Sequence, residues 1–74
     1  MLLNNSEKKN VNIIDCKRIT TNITDCRQIT ENIADCKEIT LNIFDCNKIT
    51  INLHDSKNAT LLISNCKNID VSNE

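Results

Sequence analysis

The sequence predicts an all-β protein, a parallel β-solenoid (β-helix) of about six ten-residue coils. The first observation is a ten-residue repeat over residues 11–70, which runs without insertion or deletion. The second is that part of each repeat alternates between apolar and polar residues. The third is a composition rich in Ile, Thr and Asn that contains no Gly and no Pro. A fixed short period of this kind indicates one small structural unit stacked on copies of itself.

The repeat reads approximately x-N-I-x-D-C-x-x-I-T, with apolar residues at its third, sixth and ninth positions. On an α-helix, ten residues fall about 80° short of three turns, so the apolar stripe would wind around the rod. Ile and Thr also favour strands over helices. The repeat therefore predicts strands.

The longer predicted strand runs from the ninth position of one repeat to the third of the next, as in residues 49–53. Its alternation places Thr50 and Asn52 outward and the aliphatic residues between them inward. A very short second strand, D-C-K, points its Cys inward, and the fourth and eighth positions form the corners. Coils about 4.8 Å apart would give a rod about 30 Å tall. Asn and Asp would supply the left-handed corner residues in place of Gly.

Two sets of residues follow from this alternation. The predicted interior ladder contains Ile13, Ile23, Ile33, Ile43, Leu53, Ile63, Cys16, Cys26, Cys36, Cys46, Cys66, Ile19, Ile29, Ile39 and Ile49. The predicted outward face contains Thr20, Thr30, Thr40, Thr50, Thr60, Asn22, Asn32, Asn42 and Asn52. The first position of the repeat fits less well, because Glu31 would lie inward there. Either that strand bends outward, or the cross-section is closer to a triangle with three inward residues.

Length and composition predict one small domain with thin ends. We expect residues 1–10 to form a polar N-terminal cap or tail, residues 11–70 the solenoid and residues 71–74 a C-terminal tail. The net charge of −1 provides no basic stripe for nucleic acid. No apolar run is long enough for a secretory signal or a membrane span, so we expect a cytoplasmic protein, with leaderless release as an alternative.

The cysteine column is the feature with the most chemical potential. Its first interpretation is packing, because free Cys is a small residue that is often buried. One Cys per coil cannot close a disulfide within the coil, and side chains stacked in the same direction suit a disulfide poorly. The alternative is a soft-metal site for Cu(I) or Ag(I) at Cys16, Cys26, Cys36 and Cys46. We expect no other cofactor.

The remaining polar residues predict no catalysis. The Asp column at the fifth position is offset by basic residues two positions further on, and His54 is expected to be exposed. The sequence contains no recognisable set of nucleophile, base and orienting group and no Gly-rich phosphate loop. We therefore expect the protein not to be an enzyme.

The recurring I-T-x-N-I-x-D-C-K resembles the Cys-bearing β-helical repeats of cyclase-associated proteins and tubulin cofactor C, which contain similar I-x-x-C-K turns. That resemblance implies a β-helical fold and does not extend to binding of actin or tubulin. The T-x-N strand, as in Thr20-Thr21-Asn22, resembles the flat T-x-T strand of insect-type antifreeze solenoids. That second resemblance implies a flat face on which regularly spaced hydroxyls order water or ice.

These patterns lead to one functional hypothesis and two alternatives. The hypothesis is a structural, self-assembling β-solenoid that forms rods or filaments by end-to-end stacking of coils, with itself as partner and with no nucleic acid or membrane partner. The first alternative is a binding module that uses the flat Thr-x-Asn face for ice, glycan or protein. The second is soft-metal binding by the cysteine ladder.

Overall fold

The computed structural model describes all 74 residues and shows a parallel β-solenoid built from eight strands, with no helix. The strands are β1 (Leu2–Asn4), β2 (Glu7–Ile14), β3 (Arg18–Thr24), β4 (Arg27–Ala34), β5 (Glu38–Phe44), β6 (Asn47–His54), β7 (Ala59–Ser64) and β8 (Lys67–Asn73). They form two four-stranded parallel sheets, the odd sheet β1-β3-β5-β7 and the even sheet β2-β4-β6-β8. The predicted fold class is confirmed.

The predicted length of a coil was wrong. Each strand pairs with the strand twenty residues further on, so that Thr20 lies beside Thr40 and Thr40 beside Thr60. One decapeptide supplies one strand and one corner, and two decapeptides are needed to complete a coil. The solenoid therefore has about four coils of twenty residues rather than six of ten, and its Cα envelope measures 26 × 19 × 19 Å.

The corners lie at the fifth and sixth positions of the repeat, not at the fourth and eighth as predicted. All seven residues at the fifth position, Asn5, Asp15, Asp25, Asp35, Asp45, Asp55 and Asn65, have φ between 49° and 58°. Asn and Asp tolerate this left-handed conformation better than other residues with a Cβ. The D-C-K segment is therefore the bend that reverses the chain, and it does not form a second strand.

The two decapeptides of a coil differ at the eighth position. In the even sheet, the residues at this position have positive φ and no partner in the strand register, although the residues on either side of them are paired: Lys8, Gln28, Lys48 and Asn68. In the odd sheet, Asn58 alone has this conformation at the equivalent position. The strands of the two sheets therefore differ in backbone conformation near their first residues, although the repeat looks uniform in the sequence.

The core lies between the two sheets and is filled from the ninth, first and third positions of the repeat. The first position points inward even where its residue is polar, because Thr21 and Glu31 are both fully buried. Neither alternative proposed for Glu31 is therefore correct. Its strand does not bend outward, and three inward residues precede the corner Cys in each strand, whereas the triangular alternative allowed only three in a whole coil. In the middle of the rod Ile29, Ile39 and Ile49 are completely buried.

The solenoid extends beyond the predicted boundaries of residues 11–70. The segment 1–10, expected as a cap or tail, contributes β1 and the first residues of β2, and β8 continues to Asn73. No other element covers the outer edges of β1 and β2 at the N-terminal end or of β7 and β8 at the C-terminal end. Both ends of the rod are consequently open.

Candidate functional site

The exposed apolar side chains of this protein lie at the two ends of the rod. The large hydrophobic residues that are exposed are Met1, Leu2 and Ile14 in the first coil and Leu62, Ile63 and Val71 in the last. The two middle coils have none. We refer to the surface formed by β1 and β2 as the N-terminal end face and to that formed by β7 and β8 as the C-terminal end face.

The end faces are exposed because the stack stops there. Ile63 is 39% exposed and Val71 is 40% exposed, whereas their register partners Ile43 and Ile51 are fully buried. The backbone N–H and C=O groups that would bond a further coil are also free along these strands, which is the usual vulnerability of an edge strand. The sequence pattern gave no sign of these residues as a site, because it treats all coils as equivalent.

The predicted interior ladder is inward throughout the described strands and corners, but its burial depends on the coil. Its central members are buried: Ile13, Ile23, Ile33, Ile43, Leu53, Cys26, Cys36, Cys46, Ile29, Ile39 and Ile49. Ile19, Cys16 and Cys66 are half-buried, and Ile63 is exposed. The exposed members lie near an end of the rod, where one neighbouring coil is missing.

The predicted outward face is divided between the two sheets. Thr20, Thr40, Thr60, Asn22 and Asn42 lie on the odd sheet, and Thr30, Thr50, Asn32 and Asn52 on the even sheet. The two strips are on opposite sides of the rod, so no single surface carries all nine residues. Leu62 continues the Asn column on the odd sheet, and Ser72 continues it on the even sheet.

The Asn side chains form two hydrogen-bonded ladders with a fixed direction. On the even sheet Asn32 Nδ2 donates to Asn12 Oδ1 at 2.9 Å, and Asn52 Nδ2 donates to Asn32 Oδ1 at 2.8 Å. Ser72 Oγ then donates to Asn52 Oδ1 at 3.0 Å. On the odd sheet Asn42 Nδ2 donates to Asn22 Oδ1 at 2.8 Å. These bonds link successive coils, since each joins residues twenty positions apart.

The cysteines occupy two columns rather than one. The first consists of Cys16, Cys36 and Ser56, and the second of Ser6, Cys26, Cys46 and Cys66, because partners are twenty residues apart. The four cysteines proposed as a soft-metal site are therefore divided between opposite edges of the rod. All five are free thiols, and no three His, Cys, Asp or Glu side chains come together in an arrangement that could hold a metal ion.

Each side chain in these columns stabilises a corner through hydrogen bonds. Cys46 Sγ donates to the carbonyl of Phe44 at 3.0 Å and lies 3.5 Å from that of Ile23 in the preceding coil. Ser56 Oγ makes the equivalent two contacts, to the carbonyl of His54 and to that of Ile33 in the preceding coil, and it also accepts from the N–H of Cys36. A hydroxyl thus replaces the thiol without loss of any bond, which explains how Ser can interrupt the column.

The environments of Cys16 and Cys46 raise the pKa of each thiol and so favour its neutral form. Burial, with smaller contributions from Cys36 and Asp15, raises the pKa of Cys16. Burial likewise raises the pKa of Cys46; the backbone of Cys26 lowers it by less, and the thiols of Cys26 and Cys66 raise it further. Because the thiolate is the nucleophile and the metal ligand, these environments oppose reactivity.

Charged side chains form few ion pairs on the rod. Arg18 Nε lies 3.0 Å from Glu38 Oε2, and His54 Nε2 lies 3.2 Å from Asp55 Oδ2, with all four side chains largely exposed. Asp15 and the other corner aspartates make no ion pair with the basic residues two positions further on. Pairs this exposed contribute about 0–1 kcal/mol.

The most unusual residue of the interior is Glu31. Its side chain is fully buried between Val11 and Ile51 of the neighbouring strands, and neither carboxyl oxygen has a hydrogen-bond partner. Burial raises the pKa of Glu31, and the Thr21 hydroxyl and the N-terminal amine lower it by less. The Thr21 hydroxyl itself is buried without a hydrogen-bond partner. These two residues form a polar layer inside an aliphatic rod.

Comparison with family models, curated proteins and solved structures finds no match for this chain. The resemblances to cyclase-associated proteins, tubulin cofactor C and antifreeze solenoids therefore receive no support beyond the shared solenoid architecture. The structure also contains no helix long and apolar enough to cross a membrane.

Proposed function

We propose that this protein is a structural β-solenoid that assembles into rods or filaments by end-to-end stacking. The observation that carries the proposal is the confinement of the exposed large hydrophobic residues to the first and last coils. Exposed apolar side chains beside open strand edges are characteristic of an interaction site. The partner is a second copy of the chain, and the proposal includes no catalysis and neither a nucleic acid nor a membrane partner.

Stacking removes both unfavourable features of an open end. It supplies partners for the free backbone groups of the edge strands, and it covers the apolar side chains that the last coil leaves in water. Covering the exposed part of Ile63 or Val71 is worth about 1 kcal/mol each. A contact between different surfaces of identical molecules continues from one copy to the next, and it therefore produces a filament rather than a closed dimer.

A second candidate function is binding through a flat face. The observation in its favour is that Thr30, Thr50, Asn32 and Asn52 stand in register on one sheet, as a binding surface for ice, glycan or protein requires. The Asn amides, however, already bond one another along the rod. Loss of thermal hysteresis, or of glycan retention, on Thr50→Lys would support this candidate.

Sedimentation velocity over a wide dilution series, with thiols kept reduced, tests assembly. We expect the wild-type protein to form species that grow with concentration. Val71→Glu places a charge on the C-terminal end face and should leave monomers. Thr50→Glu, a matched control on the flat face of a middle coil, should assemble like the wild type.

Two results would contradict the proposal. The first is a wild-type protein that remains monomeric at every concentration. The second is assembly that survives Val71→Glu and disappears in Thr50→Glu, because this pattern assigns the contact to the sides of the rod.

A further inference from the structure

We infer that successive copies stack head to tail in one register. In this register each residue of the following copy lies opposite the residue of the preceding copy whose number is sixty higher. This inference rests on the proposed function and specifies the interface between copies. In this register β1 of the following copy adds to β7, and β2 adds to β8. The odd and even sheets then continue through the junction as two uninterrupted parallel sheets.

The helical path of the chain restricts the junction to this pairing. The chain advances along the rod axis as it turns, so at each end of the rod one terminal strand lies half a coil further along the axis than the other. Placing β1 on β7 matches the offsets of the two ends, because β1 precedes β2 as β7 precedes β8. Rotating the following copy by half a turn would place β1 on β8, and one pair of strands would then be too far apart to bond.

The side chains agree with this register. Leu3 of the following copy lies over Ile63, and Val11 lies over Val71, which continues two interior columns. Leu2 lies over Leu62 on the outer surface. Of these six residues, Leu3 and Val11 are half-buried in a single copy and the other four are exposed.

The Asn ladder of the even sheet gives the junction its direction. Within the chain, the amide of each coil donates to the preceding coil, so Asn12 Nδ2 is left free at the N-terminal end face. At the other end Ser72 Oγ has donated its hydrogen to Asn52 and keeps lone pairs for a further donor. Asn12 of the following copy is the donor that lies opposite Ser72. Two N-terminal end faces would instead bring two donors together.

The charges of the outer strands favour the same direction. β2 of the N-terminal end face carries Lys8 and Lys9 against Glu7, whereas the segment at the C-terminal end face carries Asp70 and Glu74 against Lys67. Glu7 of the following copy lies opposite Lys67. Head-to-head contacts would bring like charges together, which opposes association.

Two residues of the end faces oppose stacking and limit its strength. Lys9 lies in the column of Ile29 and would cover Ile69 of the preceding copy. Asn73 lies in the column of Leu53 and would lie under Ile13 of the following copy. Inward charges on edge strands protect natural sheets from uncontrolled pairing. Lys9→Ile should therefore lower the concentration needed for assembly at least tenfold.

Mixing two end-blocked variants tests the direction of the junction. Val11→Glu blocks the N-terminal end face, and Val71→Glu blocks the C-terminal end face. Circular dichroism melting first establishes that each variant folds, and Leu2→Glu replaces Val11→Glu if the latter does not fold. We expect each variant alone to be monomeric and the mixture to form dimers of one copy of each.

The other outcomes distinguish a failure of this inference from a failure of the proposed function on which it rests. Dimers formed by one variant alone would show head-to-head contacts and overturn the inference while leaving assembly through the ends intact. A mixture that stays monomeric, beside a wild-type protein that assembles, would overturn it as well. A wild-type protein that never assembles would overturn the proposed function itself.

A charge exchange tests the register. Glu7→Lys should raise the concentration needed for assembly severalfold by placing two lysines opposite each other. Lys67→Glu in the same chain should restore it, and an absence of restoration would show that these residues do not meet.

Discussion

Replacing Glu31 by Ile should stabilise the protein. The site holds a fully buried carboxyl group with both oxygens unpartnered, between two aliphatic neighbours. An unsatisfied buried polar group costs about 1–3 kcal/mol. Burial also raises the pKa of Glu31 above its value in the unfolded chain, which adds to the cost of folding at pH values above the usual pKa. We therefore expect Glu31→Ile to raise the free energy of unfolding by about 1–3 kcal/mol at pH 7.

The pH dependence of stability provides a second readout of the same residue. The folded-state pKa is raised above the usual 4.5, so the folded chain binds the proton more tightly than the unfolded chain. This contribution to stability is fully present below about pH 4.5, decreases as the pH rises towards the folded-state pKa, and stays constant above it. Glu31→Ile and Glu31→Gln should both remove this decrease.

Urea unfolding followed by far-UV circular dichroism, at several pH values and at dilute concentration, measures both effects. Glu38→Gln is the matched control, because that glutamate is exposed beside Arg18 and should change stability by less than about 1 kcal/mol. The reasoning is refuted if Glu31→Ile destabilises the protein, or if its stability falls with pH as steeply as that of the wild type.

Three further predictions concern the corner cysteines and the residues with positive φ. Cys36→Ser should change the free energy of unfolding by less than about 1 kcal/mol, whereas Cys36→Ala should cost about 1–2 kcal/mol because no side-chain donor remains for the corner carbonyl; equal losses in chemical denaturation would contradict this role. Lys48→Asn should stabilise the protein by about 0.5–1 kcal/mol, since Lys48 has a φ of 63° and Asn tolerates this conformation better. Lys17→Asn, at an exposed position without positive φ, should give no gain in the same melting experiment. A thiol reagent should modify Cys66 before Cys46 in the folded monomer, because Cys46 is only 5% exposed and burial raises its pKa; equal rates by mass spectrometry would show that the corner opens readily.

The class of fold could be predicted from the sequence, but the length of the coil could not. The inward and outward residues of each strand follow from alternation, as at Ile49, Thr50 and Ile51, whichever strand lies beside them. The ten-residue period is real but equals half a coil, because a left-handed residue at the fifth position reverses the chain once in every repeat. A weak twenty-residue signal exists in Lys17, Lys37 and Lys57, which mark the corners of one edge.

The candidate site was predicted only in outline. The expectation of open ends follows from any repeat without caps, but the residues that form an end face depend on which strands are last in each sheet. Leu62 and Val71 look like any other repeat positions in the sequence. Only the structure shows that the chain forms two sheets and that these residues lie in the final strand of each. Alternation places Glu31 inward, but it does not establish that an unpartnered carboxyl group remains there.

Cryo-electron microscopy of the assembled protein tests the central claim most directly. In the head-to-tail register each copy adds four strands to each sheet, so the account predicts one subunit for about every 19 Å of filament length and a strand spacing of about 4.8 Å along the axis. Discrete particles at all concentrations, or filaments in which the rods lie side by side or alternate in direction, would contradict it.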